Sequence, residues 1–350
     1  MTIEGGTVQQ FANGVRSFSQ SETVAMSDSR LHHLTLRDNR DEGIFIGGAN
    51  GPPNNNNRID HNLVLRNRNV CDFGFGIAVK AAFSRIDHNR VEGGVDGFLV
   101  CCSEGTDGNV IEDNSVSHNR GYAFVLVASD NNRVERNVLN GNDHGIVLDG
   151  SSGNDIRRNS ISRGAGSSID LVGGAAGNRV ERNRLTDNGD GVTVTESRDN
   201  QISRNTITGT GFFGFPEAGG FGIIVDGADD NTVQRNSVIG GRGEAILVTS
   251  LDSQETSDRN LVSRNTVNSK LRDGILVNGN ATATLLERNT ANRSGDDGID
   301  VDAVGTKLTR NTANHNHDLG IEAVHGVTDG GGNKAAGNGN PLQCTNVFCN

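Results

Sequence analysis

Tryptophan is absent from this 350-residue chain, Tyr122 is its one tyrosine, and there are two methionines, four prolines and four lysines. Without tryptophan, the aromatic faces that sugar clefts usually offer must come from the 13 phenylalanines. Several of these gather in residues 209–222, where Phe212 and Phe213 could wall a groove or simply pack their own loop. The few methionines, five cysteines and nine scattered histidines show no zinc-site spacing, and they give no support to a metal-loading function. No stretch of ten or more residues has helical periodicity, and no apolar run is long enough to insert in a membrane. A net charge of −11 weighs against nucleic acid, whose binding depends on basic patches that release counterions. No signal peptide is present, and the chain opens at "MTIEGGTVQQ" as though inside a repeat. A preceding segment carrying a signal and a cap is therefore expected, with the mature protein extracellular or on the cell surface.

Asparagine and glycine fill the space. An Asn recurs after an "x-[IVL]-x-x" run at intervals of 22 to 31 residues, from Asn62 through Asn137, Asn183 and Asn265 to Asn311. Between these positions apolar and polar residues alternate, as in "RVERN" and "GIVLDG", so each repeat holds short strands of period two. The turns between strands need backbone in or near the left-handed region, which Gly adopts freely and Asn tolerates. If each repeat is one coil, equivalent asparagines stack about 4.8 Å apart and their amides can bond along the column. The pattern predicts an all-β chain, a right-handed parallel β-helix of about a dozen coils. Residues 1–333 are expected to form it, with 334–350 as a tail closed by a Cys344–Cys349 bridge. Cys71 and either Cys101 or Cys102 lie about one coil apart and could form a second bridge. A hydrophobic fraction of 33% suits the narrow core of a solenoid.

The unit "N-x-I-x-x-N-x-[VIL]-x-x-N…G-I-x-[VL]" resembles the repeats of the NosD-like and pectate-lyase-like superfamily of carbohydrate-binding and sugar-hydrolysis β-helices. The resemblance covers about residues 3 to 333. It implies a polysaccharide or glycan substrate held along the sheet whose strands begin "G-I-x-[VL]". Alternation places Glu244, Asp226, Asp300, Asp302 and Glu322 outward on that sheet.

Acidity on this face rises toward the C-terminus, through "LRDGILV", "SGDDGIDVDAVGT" and "HNHDLGIEAVHG". The series is similar to the polygalacturonase arrangement, which implies catalytic roles for Asp273, Asp296, Asp297 and His317. In that chemistry one carboxylic acid protonates the leaving oxygen while a carboxylate activates water. Two departures stand out: Gly298 occupies the position of an expected cysteine, and His317 is two residues out of place. The same Asp-Asp-Gly run also reads as an ordinary turn, or as a calcium site with Asp300 and Asp302 as ligands. Lys80 stands in the register of the catalytic lysine of alginate lyase and chondroitinase B. That would imply lyase or epimerase chemistry on uronic glycans; otherwise Lys80 is an incidental surface residue. A third reading is a non-catalytic, glycan-binding surface scaffold. Finally, the arginine before the main Asn recurs from Arg136 to Arg310, with Asp60, Asp87, Glu112, Glu135, Glu181 and Glu287 in the column one position earlier. This ladder is expected to be partly salt-bridged, or else to bind an acidic glycan.

Overall fold

The computed structural model describes all residues except 20–26, 49–53, 68–73, 102–105, 212–218, 251–254 and 270. Every regular element among the described residues is a strand. All strand pairings are parallel, and together they form a right-handed β-solenoid of about 12 turns. The chain divides into two compact units, Met1–Ala165 and Gly166–Asn350.

In each unit a coil contributes one strand to each of three sheets in turn. In the first unit Arg58–Asp60, Leu63–Leu65 and Phe75–Val79 make up one such coil; in the second, Leu285–Glu287, Thr290–Ala291 and Ile299–Val301 do so. From Arg30 onward the three-residue strands of the first two sheets bury their central apolar residue, and Ile59, Ile86, Ile111 and Val134 stack in the first unit with no exposure. A single aliphatic side chain per strand is enough because the interior is only one side chain deep from each sheet. This explains how so polar a composition can still fold.

The asparagines are buried and turn the corner between the first and second sheets. In the second unit Asn183 Nδ2 donates to Asn205 Oδ1 at 3.0 Å, and the column continues through Asn236, Asn265, Asn289 and Asn311 to Asn333. Each backbone N–H also donates to the next side-chain oxygen, as Asn183 N does to Asn205 Oδ1 at 2.9 Å. Amides that would cost free energy if buried alone are thereby satisfied. The residue just before each ladder Asn is left-handed, with φ of 54–57° from His61 through Asp113, Arg136 and Arg204 to Arg310, and His33, ahead of Leu34, shares the conformation at 56°. Gly332 ends this column at a φ of 74°; the N–H groups of the arginines of the second unit are held by the next coil, as Arg235 N is by Ser263 O at 3.0 Å.

The regular pairing extends to Lys334–Ala336, in register with Thr312–Asn314. Beyond it Cys344 and Cys349 are joined in a disulfide, and they make isolated bridges to Ile321 and Asn333. Cys101 is also disulfide-bonded. Cys71 and Cys102, the other residues of the expected second bridge, lie outside the described residues.

Candidate active site

The third sheet of the second unit aligns its outward residues in columns. Along one column Thr193, Ile224, Leu247, Leu276, Asp300 and Glu322 follow one another in register. One turn earlier, the residues that precede the strands line up as Glu244, Asp273, Asp297 and Leu319, joined by backbone hydrogen bonds such as Gly274 N to Asp297 O at 3.0 Å. Gly298 follows Asp297 because a Cβ there would collide with the Asn316 amide and the Gly320 carbonyl. A cysteine cannot stand at that position in this backbone.

The carboxylates of Asp273, Asp296 and Asp297 each place an oxygen within 4.8 Å of the others. Two of the three also hold the coils together. Asp273 Oδ1 accepts from Asp297 N at 2.9 Å, and Asp297 Oδ1 accepts from Leu319 N at 2.6 Å. Asp96 and Asp190, elsewhere in the chain, do the same for Tyr122 N at 2.7 Å and for Phe221 N at 2.8 Å. The acid ahead of the strand is therefore first a backbone acceptor, the turn role that Asp-Gly sequences commonly play. Asp296, exposed, has no such bond among the described contacts.

Burial dominates the protonation of this cluster. It raises Asp297 to about 8, with a hydrogen bond to the Glu322 carboxyl and the charge of Asp273 adding to the effect. Asp300 is raised to about 7 by burial and then by the charges of Asp302, Asp273, Glu322 and Asp296. Asp273 rises to about 6, again through burial first, with Asp296 and Glu244 contributing. A set of carboxyls near neutral pH, some protonated and some not, can supply an acid and a base in one place. As hard oxygen donors, the Asp273, Asp296 and Asp297 group could also hold a cation.

Of the outward acids expected from alternation, Glu244, Asp300, Asp302 and Glu322 thus fall within electrostatic reach of the cluster. Asp226 stands apart, in register with Thr195 and Thr249. His317 is exposed, and its backbone N–H donates to Ser294 O at 3.1 Å and Asp296 O at 3.0 Å. Phe212 and Phe213 lie outside the described residues. What the sequence reading missed here is the apolar run of Ile224, Leu247 and Leu276 leading to Asp300. Its signal was the apolar residue at the outward position of consecutive repeats.

Lys80 belongs to the first unit, where it is half-buried and its N–H donates to Ile46 O at 2.7 Å. The same unit contains a feature that reading the histidines as scattered had overlooked. His33, His61 and His88 stack with centroids 5.2 and 4.9 Å apart. They occupy the column that later carries the arginines. His61 and His88 bond Asp60 and Asp87 at 2.9 Å, and His32 Nδ1 lies 2.8 Å from His33 Nδ1, with Glu4 nearby. Glu4, His32 and His33 form the other group among the described residues that could bind a metal. The expected ion pairs of the ladder are also present here, Arg136 with Glu112 at 2.5 Å and with Glu135 at 2.7 Å.

Among the described residues no helix is long and apolar enough to cross a membrane. A search of curated proteins finds no match. Solved structures similar to the chain include the A-module of the mannuronan C-5 epimerase AlgE6 of Azotobacter vinelandii (17% identity, TM-score 0.51, 95% of this chain and 80% of that one). The catalytic domain of a GH87 α-1,3-glucanase, in complex with tetrasaccharides, is similar at 14% identity and TM-score 0.63, with 87% of this chain covering 64% of that one. A DFA-IIIase of Arthrobacter chlorophenolicus A6, in complex with DFA-III, aligns at 12% identity and TM-score 0.59 over 84% and 89% of the two chains. These likenesses concern the fold. The model for the periplasmic copper-binding protein NosD matches residues 1–163 and 74–210, and that for the right-handed β-helix region matches residues 144–316. The chain belongs to this family of right-handed parallel β-helix repeat proteins.

Proposed function

We propose that the second unit cleaves a neutral glycan by carboxylate-based hydrolysis at Asp273, Asp296 and Asp297. The observation that carries this reading is the group of three carboxylates within 4.8 Å, one of which, Asp297, keeps its proton to about pH 8. Asp297 protonates the leaving oxygen, and exposed Asp296 activates water or attacks the sugar. Burial first, then the Glu322 carboxyl and the charge of Asp273, keep Asp297 protonated. Ile224, Leu247 and Leu276 offer sugar C–H faces the apolar surface that tryptophan would otherwise provide. So many acids together repel uronates, which favours a neutral chain. The oligosaccharide-bound glucanase and DFA-IIIase support a glycan substrate, and the periplasmic family description supports a location outside the cytoplasm.

The test is a polysaccharide screen read for both new reducing ends and unsaturated products. Asp296→Asn should abolish reducing-end release with the melting temperature unchanged, and Lys80→Ala should be silent. Unsaturated products lost on Lys80→Ala would transfer the activity to a lyase or epimerase centre. Binding without cleavage would leave a scaffold. Calcium is the cation that suits this donor set; melting temperatures that agree in calcium and in chelator would remove it.

A second reading rests on Glu4, His32 and His33. Metal–nitrogen bonds of about 2.0 Å meeting at a right angle put two ligand nitrogens about 2.8 Å apart, a geometry that suits copper(II) with imidazole and carboxylate donors. His32 Nδ1 and His33 Nδ1 are 2.8 Å apart, and the family description names copper. Titration with copper(II), followed by visible absorption, should give one site that His33→Ala removes. No uptake would end this reading.

A further inference from the structure

The corner column of the second unit presents six exposed arginines, Arg182, Arg204, Arg235, Arg264, Arg288 and Arg310, one per coil. They share one backbone conformation, φ of 56–57°, so their side chains leave the corner alike. Each N–H is bonded to the next coil at 2.9–3.1 Å, which fixes the spacing at the interstrand distance, about 4.8 Å.

The column beside them reads Glu181, Ser203, Gln234, Ser263, Glu287 and Thr309, of which Gln234, Glu287 and Thr309 are only half-buried. Six guanidiniums therefore face two carboxylates. Glu181 pairs with Arg182 at 3.2 Å and Arg204 at 2.6 Å, and Glu287 with Arg288 at 3.3 Å. Among the described residues no carboxylate reaches Arg235, Arg264 or Arg310 within ion-pair distance. On the other side of the ladder asparagines runs a row of hydroxyls, Thr206, Ser237, Thr266, Thr290 and Thr312, in register. A cationic row beside a hydroxyl row, on a chain of net charge −11, is a local feature that the overall charge does not predict.

We propose that this column is a binding site for a linear anionic polysaccharide, one carrying a carboxylate or sulfate at a regular repeat. Guanidinium forks bond such groups bidentately. A stiff chain that meets several at fixed spacing gains avidity from each further contact. The hydroxyl row donates to the sugar ring oxygens and accepts from the sugar hydroxyls between the anions. Nucleic acid fits less well, because the acidic remainder of the protein repels a polymer of far denser charge. The ladder lies between the first and second sheets of its unit, whereas the acidic cluster lines the third, so this inference does not depend on the hydrolytic reading.

The experiment is equilibrium binding of the full chain to polygalacturonate and to dextran sulfate, with neutral dextran and duplex DNA as comparators. Arg235→Asn, Arg264→Asn and Arg310→Asn are combined, because Asn tolerates the left-handed backbone. A triple Arg→Lys variant keeps the charge and removes the fork. We expect binding to at least one anionic glycan that weakens steeply with salt and falls tenfold or more in the Asn variant at an unchanged melting temperature. In the Lys variant, carboxylate binding should fall by less. Equal binding to neutral dextran, tighter binding to DNA than to either glycan, or undiminished glycan affinity in the folded Asn variant each overturns the proposal. Should the Asn variant melt early, loss of binding in the Lys variant decides for the fork and retention of binding in 1 M salt decides against the ladder.

Discussion

Two regions bury carboxylates under opposite conditions, the first-sheet corner of the first unit and the acidic cluster of the second. In the first, Asp60 is fully buried, yet it lies well below the usual carboxylate range. Burial alone would raise it, but hydrogen bonds from Arg30 and His61 and the charge of Arg58 outweigh that effect. Glu135 is lowered in the same way, against burial, by Arg157 and Arg136. In the second unit Asp273, Asp297 and Asp300 are buried among other acids and rise to about 6, 8 and 7. Burial raises every one of these groups, and whether a cation faces the carboxylate decides the sign of the net shift. Glu181, at the same corner of the second unit, is also lowered, against burial, by Arg204 and Arg179, and Asp96, ahead of a third-sheet strand in the first unit, is raised by burial, so the difference follows the place in the coil and the cations there, not the unit.

The largest effect should come from breaking the neutralised corner. Asp60→Asn removes the charge that faces Arg30 Nη2 at 2.7 Å and Arg58 Nε at 3.2 Å and turns one of the two acceptor oxygens into a donor; it should cost about 3 kcal/mol in urea unfolding, the order of a broken buried pair. A loss under 0.5 kcal/mol would mean that solvent already screens the row. Asn183→Ala comes next, at roughly 1–3 kcal/mol, since the side-chain bond to Asn205 vanishes and buried partners are left unmade, while the backbone N–H keeps its own bond.

The pH dependence sharpens the comparison, because the two regions should respond in opposite directions. The lowered acids of the corner stabilise it above their ordinary range, and that contribution is lost as pH falls through their folded values. The raised acids of the cluster stabilise it below their ordinary range, and theirs is lost as pH rises through about 6 to 8. Hydrogen exchange at pH 5 and pH 8 should show protection around Ile299–Val301 falling at the higher pH while that around Arg58–Asp60 holds. Asp297→Asn should flatten the first response. The smallest effect is expected at the bare corner: Arg235→Ala should change stability by no more than about 0.5 kcal/mol, since it gives up no ion pair.

Architecture was legible because one physical demand, a buried amide at each corner, repeats in every coil and leaves an Asn that cannot be exchanged. The acids of the site were legible too, but their first task was not. Asp273 and Asp297 read as catalytic by resemblance, while Asp96 and Asp190 in the same column showed that such an acid serves the backbone wherever it stands. The histidine stack escaped notice because His33, His61 and His88 precede the arginines in a column recognised by its arginines. The acidic column was read as running the length of the ladder, although Ser203, Gln234, Ser263 and Thr309 interrupt it in plain sight. Side-chain reach across a coil, which decides that His317 stays exposed, is not written in spacing at all.

The asparagine column of the second unit also has a direction. Every Nδ2 points toward the following coil, so the amide dipoles align head to tail and polarise one another. Such a chain has a positive terminus, as a helix does at its first turn. Here that terminus is Asn333, whose Nδ2 donates to Asp329 Oδ1 at 3.1 Å, while Asp329 also accepts from Gly331 N and Phe348 N. Asp329 is thus to the column what an N-cap carboxylate is to a helix. The stack consequently has a cathode-seeking end and an opposite one, and shortening it from the C-terminal side strands a donor, whereas shortening it from the other side strands only an acceptor that water readily satisfies.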